Sequence, residues 1–125
     1  MTEDRTYDLE ERLIDFAVRI IQMAESLPNT KAANHIAGQL IRCGTSPAPN
    51  YGEAQSAESK ADFIHKIKVC LKELRETRVW LIMIVRAKLI KPVSKLNSLI
   101  QESNELISIF VTSIRTAKKG KKKFP

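Results

Sequence analysis

The sequence predicts an all-α protein, an antiparallel up-down bundle of four helices, and three observations lead there. Apolar residues recur at steps of three and four through four long stretches, which is the period of one face of a helix. Short polar segments bearing Pro, Asn or Ser join the stretches, and short connections between long helices favour antiparallel neighbours. No segment alternates apolar and polar residues in the period of two that a half-buried strand requires. The chain of 125 residues has room for one domain. Its expected division is an N-terminal segment 1–6, a bundle 7–115 and a basic, disordered tail 116–125.

The first helix is expected to start after Thr6 as N-cap and to bury Leu9, Leu13, Phe16, Ile20, Met23 and Leu27 along one face. The run Ser26-Leu-Pro-Asn29 stops it. Asn29 then suits the N-cap of the second helix, because its side-chain oxygen can accept from an orphan amide one turn on.

The second helix places Ala33, Ala37 and Leu40 inside and then meets Ser46-Pro-Ala-Pro-Asn-Tyr-Gly-Glu53. Pro47 and Pro49 have no amide for the carbonyls of Cys43 and Thr45, and each disfavours helical geometry in the residue before it. Local rules therefore end the helix here, but positions 33, 37, 40, 44, 47, 51 and 54 continue one three-four series. A loop has no reason to keep that phase. The expectation is one helix over about 30–56, kinked at Pro47/Pro49, with small residues Gly44, Ala48 and Gly52 admitting a close neighbour.

The third helix opens at Ser59 with Asp62 three residues on, an acidic variant of the capping box. Phe63, Ile67, Cys70, Leu74, Leu81 and Ile84 form its seam, interrupted by Thr77, and Asp62 and Lys66 make an i,i+4 pair. It should end near Arg86–Lys88, where cations suit the negative end of the helix dipole. Pro92 lies at or near the start of the fourth helix, whose seam is Leu96, Leu99, Ile100, Leu106, Ile107, Phe110 and Ile114. The second half of the third helix is apolar on its far side as well, through Val69, Trp80, Met83 and Ala87. A helix apolar all round is buried all round. Either it sits centrally among its own neighbours, or Val69, Trp80 and Met83 meet another copy of the chain.

Composition excludes several classes of function. The longest apolar run, Val79–Val85, has seven residues, against roughly 20 for a membrane span. The acidic N-terminus lacks the apolar core of a signal peptide, so the protein is expected in the cytoplasm and away from membranes. Two cysteines, Cys43 and Cys70, make no disulfide framework and fall on apolar faces, as buried thiols do. The net charge of +7 is unevenly spread. Residues 1–30 hold seven acids and three bases, whereas residues 116–125 hold five lysines and no acid.

No constellation for catalysis is present. A di-iron bundle needs Glu-x-x-His on two helices plus two further Glu; here Asp62-x-x-His65 stands alone, and His35 is preceded at that spacing by Ala32. No Cys-x-x-Cys, phosphate-binding glycine loop, Gly-x-Ser-x-Gly elbow or His-Glu-x-x-His occurs. No enzyme, cofactor, metal or small-molecule substrate is expected. Asn50, Glu53, Glu73 and Glu76 are candidates for a polar network between the second and third helices, or for plain solvation; if interior they must be bonded.

With the helices placed, Ser59, Phe63, Leu71, Glu73, Glu76, Thr77, Trp80 and Leu81 resemble the third-helix signature of small bacterial four-helix-bundle proteins. These are named after intervening sequences in 23S rRNA genes; the pattern is a Ser-led start, a Phe, Leu-x-Glu-x-x-Glu-Thr and an aromatic-Leu pair. The family's second-helix motif, Asn-Ile-x-Glu-Gly, is matched at Asn50 and Glu53 and departed from at Tyr51 and Ala54, with Pro49 an extra proline. The resemblance covers about residues 7–115. It implies a bundle that assembles as a ring, typically a homopentamer, and it brings no catalytic residues. Distantly similar bundles, the accessory proteins of diversity-generating retroelements, bind a reverse transcriptase and nucleic acid.

The remaining candidates are basic. Lys68, Lys72, Arg75 and Arg86 share a stripe on the third helix, and Arg115 leads into Lys118, Lys119, Lys121, Lys122 and Lys123. Neutralising phosphates releases counterions, so such a set gives salt-sensitive, sequence-blind affinity for RNA or DNA. The tail could equally be a solubilising terminus. A second class of function, a scaffold that presents a surface to a partner protein, fits the spare apolar side of the third helix.

Overall fold

The computed structural model describes residues 5–120, and among them every regular element is helical. Five helices follow in order: α1 (Arg5–Glu25), α2 (Lys31–Thr45), α3 (Pro47–Ala54), α4 (Lys60–Arg86) and α5 (Ser94–Lys118). Thr6 lies inside α1, so it is not the N-cap that the sequence suggested. At the other end the bundle reaches beyond 115: α5 continues through Lys118 with Lys119 as its C-cap, so the first residues assigned to a disordered tail are helical. Lys121, Lys122 and Lys123 lie outside the described residues.

The cap of α2 is Thr30, whose Oγ1 accepts from the amide of Ala33 at 3.1 Å. Asn29 instead accepts from the side chain of Asn34 at 3.0 Å. Both are plausible caps by residue type, and the extended backbone of Thr30 decides between them. Ser59 caps α4 as expected, accepting from the Asp62 amide at 3.0 Å. The carboxylate of Asp62 reaches back to the amide of Glu58 at 3.3 Å, one residue before the cap. α4 ends in a Schellman motif: the amide of Leu89 donates to Ile84 and that of Lys88 to Val85, both at 3.1 Å, and Lys88 takes a left-handed φ of 56° where glycine is usual.

Where one bent helix was expected over 30–56, α2 and α3 meet at Ser46, whose φ of −74° and ψ of −37° are helical. The helical phase persists across the junction, and Ala33, Leu40, Gly44, Pro47, Tyr51 and Ala54 are all buried. The prolines remove two amides, and side chains add other bonds across the junction. Cys70 Sγ donates to the carbonyl of Pro47 at 3.5 Å, and Asn50 Nδ2 donates to the carbonyl and hydroxyl of Ser46 at 3.0 and 2.9 Å. Gly44 meets α1 directly: a Cβ there would lie 2.7 Å from Ile20 Cγ2.

Phe16 and Phe110 are the largest of the fully buried side chains, and Ile67, Leu74, Leu81 and Leu106 complete the centre of the core. Tyr51 meets Phe110 edge-on at 6.0 Å between ring centroids. Two polar residues interrupt the seams without cost, because each hydroxyl donates to its own helix: Thr77 to the Glu73 carbonyl and Ser103 to that of Ile100, both at 2.7 Å. α4 packs closely on α2, α3 and α5, while α1 packs on α2, α3 and α5 and its backbone stays away from that of α4. These two helices therefore stand diagonally across the molecule.

Candidate functional site

Two arrangements bring candidate polar side chains together. The first is a groove between α4 and α5. Lys68, Lys72 and Arg75 follow one another at steps of four and three on α4, so they share a ridge. Arg115 and Lys118 do the same on the last turn of α5, where positive charge is favoured by the helix dipole. These five cations line one open groove of about 510 Å³. Its floor is apolar, made by Leu71, Val111 and Ile114, and no acidic residue lines it. The amide of Lys119 donates to Arg115 at 3.1 Å, which fixes the groove's end. Arg86, placed on the same stripe by sequence, lies on the last turn of α4 outside the groove.

The second arrangement joins α2 to α4. Glu73 is buried, 8% exposed, and its carboxylate accepts from Arg42 Nη1 at 3.3 Å with Lys72 Nζ 3.8 Å away. Arg42 Nη2 also donates to Glu76, and its Nε and Nη2 donate to Gln39 at 3.2 and 3.1 Å. Glu76 accepts in turn from the indole of Trp80 at 3.0 Å, and His35 meets that indole edge-on at 5.9 Å. A buried carboxylate without a partner would be expensive; Arg42 removes the difficulty by bridging both acids. Sequence reading chose the acids and missed the arginine. Once Glu73 is interior it requires a cation from its neighbour, and Arg42 is the one lysine or arginine on α2 after its first residue.

The structure does not unite the four residues expected to form one network. Asn50 serves the α2–α3 junction, and Glu53 is exposed and bonds Lys66 at 2.7 Å. Lys66 therefore pairs across helices rather than with Asp62, and Glu76 pairs with Arg42. Of the side chains suggested for an interface, Val69 and Trp80 are half-buried and Met83 is exposed. Trp80 is turned toward α2 and packs against the core edge.

Neither thiol is poised for chemistry. Burial pushes Cys43 up to about 11 and Cys70 up to about 12, so neither forms the nucleophilic thiolate near neutral pH. Among the described residues no group of three His, Cys, Asp or Glu could hold a metal ion, and no helix is long and apolar enough to cross a membrane.

Compared with known proteins, residues 5–112 match the sequence model of the 23S rRNA-intervening sequence proteins. The chain belongs to that family. A crystal structure of similar shape is that of a protein of unknown function from the S23 ribosomal protein family of Bacteroides thetaiotaomicron VPI-5482. It superposes with a TM-score of 0.81 at 31% identity, over 90% of this chain and 99% of that one. No curated protein matches. In this 23S rRNA-intervening sequence protein the signature acids of α4 are thus structural: Glu73 and Glu76, through Arg42, tie α4 to α2. The groove cations Arg115 and Lys118 lie past the matched residues, whereas Lys68, Lys72 and Arg75 lie within them.

Proposed function

We propose that this chain is a non-enzymatic protein that binds RNA or DNA electrostatically, as one protomer of a homo-oligomeric ring. The observation that carries the proposal is the α4–α5 groove, where five cations converge, no acid lines the walls, and of the five Lys72 alone joins an ion pair among the described residues, with Glu73 at 3.8 Å. Such a site attracts phosphates by charge and counterion release. Its apolar floor carries no aromatic ring for stacking, so the binding is blind to sequence. In this reading α2 and α3 act as one rod, bent at Pro47 and Pro49, and the four rods run antiparallel up-down. The order of pairing supports that arrangement: Arg12 bonds Glu102 while Arg19 bonds Ser98, and Arg42 meets Glu76 while Glu53 meets Lys66. A ring, typically of five in the family, would multiply weak grooves by effective concentration. The cytoplasm is its proposed location.

Reversing three groove charges together, Lys68→Glu, Lys72→Glu and Arg115→Glu, tests the site by fluorescence anisotropy with a labelled RNA and a labelled DNA at low salt. All three side chains are exposed, so the fold is expected to survive, checked by circular dichroism. Affinity is expected to fall at least tenfold; unchanged affinity would overturn the groove's role. Deleting residues 121–125 alone separates the tail's contribution from the groove's.

A second reading, a protein-interaction scaffold or accessory subunit, for example of a reverse transcriptase, has one observation in its favour: Val79 and Met83 lie exposed on α4. A protein that ignores nucleic acid across a salt series yet retains a protein partner would favour it.

A further inference from the structure

We propose that the outer face of α1 in one copy seats on the outer face of α4 in a second copy, a head-to-tail contact between two different surfaces. The inference rests on the self-association reading above and names the two surfaces that it needs. On α1, Ile14, Val18 and Ile21 are 41%, 45% and 40% exposed. They follow at steps of four and three, so they form one apolar ridge. Exposed acids flank it: Glu10 and Glu11 about one turn before, Glu25 one turn after. On α4, Val79 and Met83 are 47% and 44% exposed. Exposed bases flank them: Arg75 one turn before and Arg86 one turn after. None of these five charges joins an ion pair among the described residues.

The two patches match in kind and in scale. At 1.5 Å per residue the acids of α1 are about 21 Å apart and the bases of α4 about 17 Å, a difference that extended arginine side chains span. Each patch rejects its own kind, since α1 against α1 would set acid against acid and α4 against α4 base against base. Each accepts the other. Because α1 and α4 stand diagonally with their backbones apart, their outer faces point away from each other, and one copy cannot cover its own patches. A contact between two different faces leaves one of each open at the ends, so it propagates and closes into a ring when the rotation per copy allows.

The test uses two single variants of the full chain, Val18→Asp and Met83→Asp, both at exposed positions, with masses from light scattering and helicity from circular dichroism. The wild type is expected to exceed the monomer mass of 14.2 kDa, and each variant alone is expected to fall to it. Val18→Asp keeps an intact α4 face and Met83→Asp an intact α1 face. Mixed in equal amounts, they are expected to give a heterodimer of twice the monomer mass and nothing larger. Variants that stay assembled like the wild type would overturn the choice of surfaces and leave self-association standing. Monomeric variants that do not complement each other would overturn the head-to-tail geometry. A monomeric wild type would overturn the self-association reading together with this inference.

Discussion

Gly44 and Gly52 sit about two turns apart on α2 and α3 and answer to opposite constraints. A Cβ on Gly44 would press on Ile20 of α1 at 2.7 Å, whereas one on Gly52 would meet nothing within 4 Å. Gly44→Ala is therefore expected to destabilise the protein by about 1–3 kcal/mol, the usual cost of overpacking. Gly52→Ala, which relieves the backbone freedom of glycine inside a helix, is expected to stabilise it by roughly 0.5–1 kcal/mol. Urea unfolding of the two variants checks both signs; loss of stability at both positions would contradict the account. At this scale the sequence announced a role for small residues, because Gly44 falls in phase with the buried series. It could not tell which glycine faced a neighbour, since that depends on where Ile20 of another helix arrives. Arg42 shows the same limit. Its charge is plain in the sequence, but its task follows from the burial of Glu73, which no local pattern records.

Helices were legible through their periodicity, and their ends less so. The four apolar series correctly placed Leu13, Phe16 and Ile20 on α1 and Leu96, Leu106 and Phe110 on α5 inside. Caps are decided by backbone dihedrals of single residues, so adjacent candidates such as Asn29 and Thr30 cannot be separated by residue type. The structure makes the choice testable. Thr30→Ala is expected to cost about 1 kcal/mol, the value of an N-cap, whereas Asn29→Ala removes only an exposed bond to Asn34 and is expected to change little. Thermal or urea unfolding of the pair reads the difference, and a larger loss at Asn29 would reverse the assignment. The α2–α3 junction illustrates a competition between levels. Proline chemistry ends a helix, but the burial of Pro47, Tyr51 and Ala54 in the common core holds the chain on its helical path through Ser46. The ridge of Ile14, Val18 and Ile21 was equally visible as a three-four series, and it passed unnoticed because α1 already had a stronger series to bury.

At the scale of the molecule, charge is sorted by face. Acids gather along α1, bases along α4 and the end of α5, and the middle of the outer faces of α1 and α4 is apolar. This sorting was half legible: composition located the basic stripe on the third helix and the lysines near the C-terminus. That Lys68, Lys72 and Arg75 share a groove with Arg115 and Lys118 emerged from the packing of α4 on α5. Arg75 stands where two uses of the surface join, since it lines the groove and also borders the apolar patch of Val79 and Met83. The remaining groove cations stay available to phosphate when that patch is covered.

The central claim is that the groove binds phosphates by charge, and the dependence of affinity on salt reads it directly. Wild-type protein is titrated against a labelled RNA at several salt concentrations. Contacts from the four groove cations that stay free in the assembly predict that the logarithm of the association constant falls with the logarithm of salt with a slope of about −2.8 to −3.6, spanning single-stranded and duplex values. The triple charge-reversal variant is expected to lose most of that slope. A wild-type slope near zero, or one that the variant retains in full, would contradict the account.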